Sequence, residues 1–127
     1  RYDDLMDGLP AAWAARRVAA APALLAAARD ALPAAPVLAI GTSARVGGTR
    51  DDGDDACPVE AMEGFAVLRA AERAGIPALE VRAISNDVEE RDRARWHLDA
   101  ACAAIVAATP RLVRAIADAL PAERREA

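Results

Sequence analysis

Two short stretches hold most of the residues that could do chemistry. Glu60-Ala61-Met62-Glu63-Gly64 places two carboxylates and a thioether where an apolar run gives way to a helical pattern. Arg82-Ala83-Ile84-Ser85-Asn86-Asp87 closes the next apolar run with a hydroxyl, an amide and a carboxylate. Open α/β sheets bind ligands at the carboxyl ends of their strands, and both stretches read as such ends. If the two strands are neighbours in a parallel sheet, the ends make one polar pocket.

Each residue also has a plainer role open to it. A carboxylate at the start of a helix complements the helix dipole whether or not it binds anything. Against that, Glu63 is followed by Gly64, which permits close approach to the backbone. A vicinal diol offers two donors that one carboxylate can accept together, and charged acceptors make the stronger hydrogen bonds. Met62 is either a core side chain or a soft apolar surface for a sugar face. Ser85-Asn86-Asp87 is either a turn or part of a site. Two polar strand ends joined by one helix favour the site. Arg82, inside an apolar strand, needs an acid partner, and Glu63 or Glu80 can supply it. His97, the one histidine, follows Trp96 at a helix start, where packing or capping is the ordinary role. No Ser-His-Asp arrangement can be built from it without a nucleophile motif.

The elements that must position these residues read as follows. Residues 10–21 carry a helical pattern with Pro10 in its first turn and Trp13 and Val18 as apolar positions. Pro22 interrupts, and 23–32 reads as a second helical piece. Residues 37–40 form a short apolar run between turn residues, a buried strand, which continues as strand or loop to Thr49. Residues 50–57 form an acidic loop whose carboxylate spacing does not match a calcium-binding EF-hand. A short strand at 59–61 leads into a helix over 62–74, with Phe65, Leu68 and Ala71 or Glu72 on one face and Gly75 as its stop. Residues 76–84 form the clearest strand, and 86–95 a charged loop. Residues 98–120 are helical, with Pro110 opening a second segment, and 122–127 fray. Strand and helix patterns alternate, so the fold class is α/β with a sheet covered on both faces.

The 127 residues suffice for one domain. The net charge of −4 argues against a nucleic-acid partner. The chain has no lysine, which excludes Schiff-base and P-loop lysine chemistry within it. Cys57 and Cys102 form no C-x-x-C unit and read as reduced thiols of a cytoplasmic protein. Neither a signal peptide nor an apolar run long enough to span a bilayer is expected, and no membrane partner. The chain begins at Arg1 rather than Met, with residues typical of mid-protein sequence, so it is expected to be a piece of a longer protein.

Met62-Glu63-Gly64-Phe65, the Arg82-Ala83-Ile84-Ser85-Asn86 strand end, and the following Arg91-Asp92 and Trp96 resemble the nucleoside phosphorylase and methylthioadenosine nucleosidase superfamily. Within it they resemble most the futalosine hydrolase family of the futalosine route to menaquinone. The resemblance covers residues 37 to about 105. It implies a three-layer α/β/α fold, of which this chain is the C-terminal part, and hydrolysis of the N-glycosidic bond of a nucleoside without a cofactor or metal. By resemblance, Met62 and Glu63 bind the ribose, with Glu60 as the acid that precedes them. Asn86 falls where adenine-directed relatives carry an aspartate at purine N7, and Asp87 is the neighbouring alternative. An amide can donate to O6 and accept from a protonated N7, so Asn86 favours a 6-oxopurine such as hypoxanthine. Ser43 and Val46, in the stretch running to Val46-Gly47-Gly48-Thr49, resemble the base side of the family's pocket, although Gly47 replaces its threonine. Arg82 or Arg91 can meet the benzoate carboxylate of futalosine. The family's water-activating acid comes from an earlier part of the chain, so this piece is expected to be inactive alone. The family's sites are completed near subunit interfaces, which implies a homo-oligomer. A purine nucleoside phosphorylase, a methylthioadenosine- or adenosylhomocysteine-type nucleosidase, and a non-catalytic binding fragment remain the alternatives.

Overall fold

A computed structural model describes residues 15–43 and 57–120. The expectations for Trp13, Val46, Gly47, the acidic loop up to 56 and the tail at 122–127 lie outside these residues. In chain order the elements are α1 (Pro22–Ala31), β1 (Ile40–Thr42), β2 (Val59–Ala61), α2 (Gly64–Arg73), a 3-10 turn (Arg93–Arg95) and α3 (Leu98–Ala119). The architecture is mixed α/β with a small parallel sheet.

Helix α1 begins at Pro22 itself, and the stretch from 15 to 21 is not helical. The proline expected to interrupt a helix instead opens one, because its fixed φ suits the first turn and its missing N–H costs nothing there. Leu24 and Ala28, one turn apart, are buried on the side facing α3, which contributes the buried Leu112. This contact and Ala61 in β2 hold the buried apolar side chains among the described residues.

β1 and β2 pair in parallel, with Ile40 opposite Val59, Gly41 opposite Glu60 and Thr42 opposite Ala61. The Ser43 amide extends the ladder by donating to the Ala61 carbonyl at 2.8 Å. At Gly41 a Cβ would come within 3.1 Å of the Cys57 Cβ, a tight approach that a larger residue could make only if Cys57 shifted slightly. The first strand is shorter than its apolar run: Val37 and Leu38 are about half exposed and unpaired.

The larger departure concerns residues 76–84. Their pattern predicts the clearest strand, yet this segment is not part of the sheet, which has two strands among the described residues. β-branched and apolar residues favour an extended backbone, but a strand exists only when a neighbour supplies the ladder. Here the Ala78 carbonyl accepts from the Ala21 amide at 2.8 Å, and no second strand runs alongside among the described residues. The expected side-by-side placement with the strand before Glu63 is therefore not seen as pairing, because β2 pairs with β1.

Helix α2 ends as its sequence requires. Gly75 has a φ of 68°, the Gly75 amide donates to the Glu72 carbonyl at 3.1 Å, and the Ile76 amide donates to the Ala71 carbonyl at 2.9 Å. These two bonds are a Schellman motif, which needs a left-handed residue at the position glycine occupies.

Helix α3 runs unbroken through Pro110 rather than restarting there. Pro110 leaves the Val106 carbonyl without its helical donor, but both residues are exposed and water can serve that carbonyl. One residue earlier, the Thr109 hydroxyl donates to the Ile105 carbonyl at 2.6 Å. Contrary to expectation, α3 is long and apolar enough by length and composition to cross a membrane. Its charges, Asp99, Arg111, Arg114 and Asp118, sit toward its ends and leave a charge-free middle.

Candidate active site

The corner between β2 and α2 comprises Met62 and Glu63. Glu63 occupies the N-cap position of α2, yet its side chain makes no capping hydrogen bond. The cap comes from the neighbouring strand: the Phe65 amide donates to the Thr42 hydroxyl at 3.2 Å. The usual structural employment of a helix-start carboxylate is thus partly taken over by Thr42, and Glu63 stays exposed and uncommitted. Met62 beside it is 46% exposed, so it is not a core methionine.

Glu63 lines an open groove of about 570 Å³ between α2, the extended segment and the first turns of α3. Val67, Leu68, Leu79 and Ile105 give the groove an apolar floor, and Glu63, Glu80, Arg82 and Ser85 supply its polar groups. The two motifs singled out in the sequence therefore meet in space, Glu63 from the first and Arg82 and Ser85 from the second.

Arg82 is exposed rather than interior, and its partner is Glu80, with Nε donating to Oε1 at 2.6 Å. The same Glu80 carboxylate lies directly over the Cα of Gly64, where any Cβ would collide with it. Gly64 thus admits the Glu80–Arg82 pair to the helix start. Arg82 is already paired, whereas no ion pair of Glu63 is found among the described residues.

The remaining residues are placed less centrally. The Ser85 hydroxyl donates to Asn86 Oδ1 at 2.6 Å, and Asn86 Nδ2 donates to the Asp87 carbonyl at 2.8 Å. The amide is thus held within its own turn, half-buried, and Asn86 and Asp87 do not line the groove. Glu60 is half-buried in β2 and Ser43 lies just past β1; neither lines the groove. Val46 lies outside the described residues. Arg91 is exposed on the 86–96 loop. His97 is the N-cap residue of α3 and its side chain caps nothing; its amide donates to the Ser85 carbonyl at 2.7 Å. Cys102, read from sequence as an ordinary thiol, also lines the groove. The spacing of Leu98, Ala101, Cys102 and Ile105 along one helical face was the signal for this. Thr42 as the cap had no such signal, since its partner lies 23 residues away.

The chain is 44% identical over 84 residues to the futalosine hydrolase of Streptomyces coelicolor, a match covering 66% of this chain. The match spans only 35% of the Streptomyces protein's length. No protein-family model and no solved structure matches the chain.

Proposed function

We propose that this chain forms the ribose and base wall of an N-glycosidase that hydrolyses futalosine and releases hypoxanthine. The observation that carries the reading is the Glu63 carboxylate, which lines the groove and makes no capping bond and no ion pair among the described residues, the cap of the helix coming from Thr42. A carboxylate so placed can accept both hydroxyls of a ribose, while Met62 covers the sugar face. The likeness to the Streptomyces futalosine hydrolase supports the choice of nucleoside.

Cleavage of the bond between C1′ and the purine nitrogen passes through an oxocarbenium-like state, as in glycoside hydrolysis. The departing base takes up charge that a neighbouring donor must stabilise. Asn86 serves it by exchanging its present partners: Nδ2 donates to O6 in place of the Asp87 carbonyl, and Oδ1 accepts from N7, which takes a proton from solvent as the bond to C1′ breaks, in place of the Ser85 hydroxyl; Asp87 is the alternative. Water adds to C1′ once a general base takes its proton. In this reading that base is supplied from outside these residues. The two described strands and the extended segment 76–84 belong, in this reading, to a three-layer α/β/α domain whose remaining strands pair with 76–84. Helix α3 covers a sheet face rather than crossing a membrane, and the protein is cytoplasmic and homo-oligomeric.

The test is to incubate the full-length protein with futalosine in phosphate-free buffer and to measure hypoxanthine. Release without phosphate supports the hydrolase. Release only with phosphate identifies a phosphorylase, and no release in either condition overturns the reading.

A further inference from the structure

Helix α2 starts with an arrangement that its own sequence does not supply. The Glu63 carbonyl accepts from the Ala66 and Val67 amides at 3.1 and 3.3 Å, so backbone bonds close the first turn. The Phe65 amide comes before those donors and has no carbonyl to reach within the helix. A helix ordinarily meets this need with the side chain of its N-cap residue, and short oxygen-bearing side chains do so best. Here the N-cap residue is Glu63, whose side chain makes no such bond. The oxygen comes from 23 residues earlier, where the Thr42 hydroxyl accepts from the Phe65 amide at 3.2 Å.

The sheet sets the position of that hydroxyl. Thr42 is the last residue of β1 and pairs with the buried Ala61, two residues before Glu63. Just past it, the Ser43 amide donates to the Ala61 carbonyl at 2.8 Å and holds the ladder. Strand pairing therefore delivers Thr42 Oγ1 to the start of α2. Glu63 is the rival acceptor: it occupies the N-cap position, it is charged, and the helix dipole attracts it. While Thr42 occupies the Phe65 amide, that amide does not draw the carboxylate away from the groove it lines.

We propose that Thr42 is a positioning residue, whose hydroxyl holds the cap of α2 so that Glu63 stays available to the ribose hydroxyls. The proposal rests on the ribose reading of Glu63, and Thr42 itself touches no substrate in it. Loss of the hydroxyl turns Glu63 toward the Phe65 amide. The apparent affinity for the sugar then falls with the fraction of molecules in which the carboxylate is free.

The experiment is a double-mutant cycle in the full-length protein with futalosine as substrate. Thr42→Val keeps the branched shape and removes the hydroxyl. It should raise KM by ~5-fold, the ratio a helix cap is worth, and leave kcat nearly unchanged. Thr42→Ser should restore the parent KM. In a Glu63→Gln background, Thr42→Val should add nothing further, because the carboxylate it misplaces is already gone. An equal loss in both backgrounds, or no loss in either, overturns the proposal. Thr42→Ala, read in the same way, replaces a Thr42→Val that does not fold. Absence of futalosine cleavage, or normal turnover by Glu63→Gln alone, sinks the ribose reading instead. The cap is then judged by thermal unfolding of the full-length protein. Glu63→Ala should lower Tm by ~2–4 °C more in the Thr42→Val background than in the parent, because Glu63 has become the cap. Equal shifts in the two backgrounds overturn the role of Thr42.

Discussion

At the scale of single residues, the decisive contrast is between Glu63 and Glu80. Both carboxylates border the same groove, but Glu80 is held by Arg82 whereas Glu63 has no ion partner there. Removing the charge of Glu63 should therefore cost activity and little stability. Glu63→Gln in the full-length protein is expected to lower kcat/KM for futalosine by about 10–1,000-fold, because hydrogen bonds to a charged group contribute roughly 1.5–3 kcal/mol. Its thermal midpoint should barely move, since exposed substitutions away from special contacts stay within about 0.5 kcal/mol. Normal turnover by Glu63→Gln would remove Glu63 from the ribose site. A second prediction concerns base choice. An amide at position 86 suits a 6-oxopurine, and the wrong donor pattern left buried costs about 1–3 kcal/mol. The protein should cleave inosine in preference to adenosine, and Asn86→Asp should narrow or reverse that preference. Equal kcat/KM for the two nucleosides in the unmodified protein would defeat the assignment. Both residues were singled out in the sequence because two polar stretches, each closing an apolar run, are joined by one helix. The present hydrogen bonds of Asn86 were not legible, because they depend on the turn that Ser85 and Asp87 make around it.

At the scale of elements, local signals were read well where the cause is local and poorly where it is not. The stop of α2 at Gly75 is a two-bond motif within six residues, and its glycine shows in the sequence. The strand expected at 76–84 is different: its apolar run is local, but pairing depends on a neighbour that composition cannot name. The helix through Pro110 shows the reverse error, a local breaker tolerated because the carbonyl it orphans faces water. The Gly75 case yields a direct test. No atom lies within 4 Å of the position a Gly75 Cβ would take, so a side chain there meets no obstacle and only the left-handed backbone resists it. Gly75→Ala should destabilise the protein by about 1–2 kcal/mol, and Gly75→Asn by less, since asparagine tolerates that conformation. Chemical denaturation measures both. An alanine variant as stable as the parent would mean that the end of α2 is not under conformational strain.

At the scale of the whole molecule, the described residues leave much apolar surface in water. Val67, Ile76 and Ile84 are 60% exposed or more around the unpaired segment, and Val106 and Val113 on α3 are 69% and 57% exposed. Leu24, Ala28, Ala61 and Leu112 are the buried apolar side chains set against them. Fully burying one such large side chain contributes about 1.5–3 kcal/mol, so covering several of them outweighs the ordinary reluctance of a chain to associate. The backbone of 76–84 adds a second drive, because an extended edge without a neighbour offers its N–H and C=O groups to any strand that reaches it. The groove depends on this segment, since Leu79 and Val81 from it are part of the lining. The 127-residue chain by itself should therefore bind a hydrophobic dye, elute from gel filtration as more than one copy, and unfold over a broad temperature range. Amide exchange should be fast across 76–84 and slower in the paired residues of β1 and β2, where ladder bonds exist. A sharp, cooperative transition from a monomer with protected amides at 79–84 would show that this segment already has its partner, and that the exposed faces are a finished surface rather than one awaiting cover.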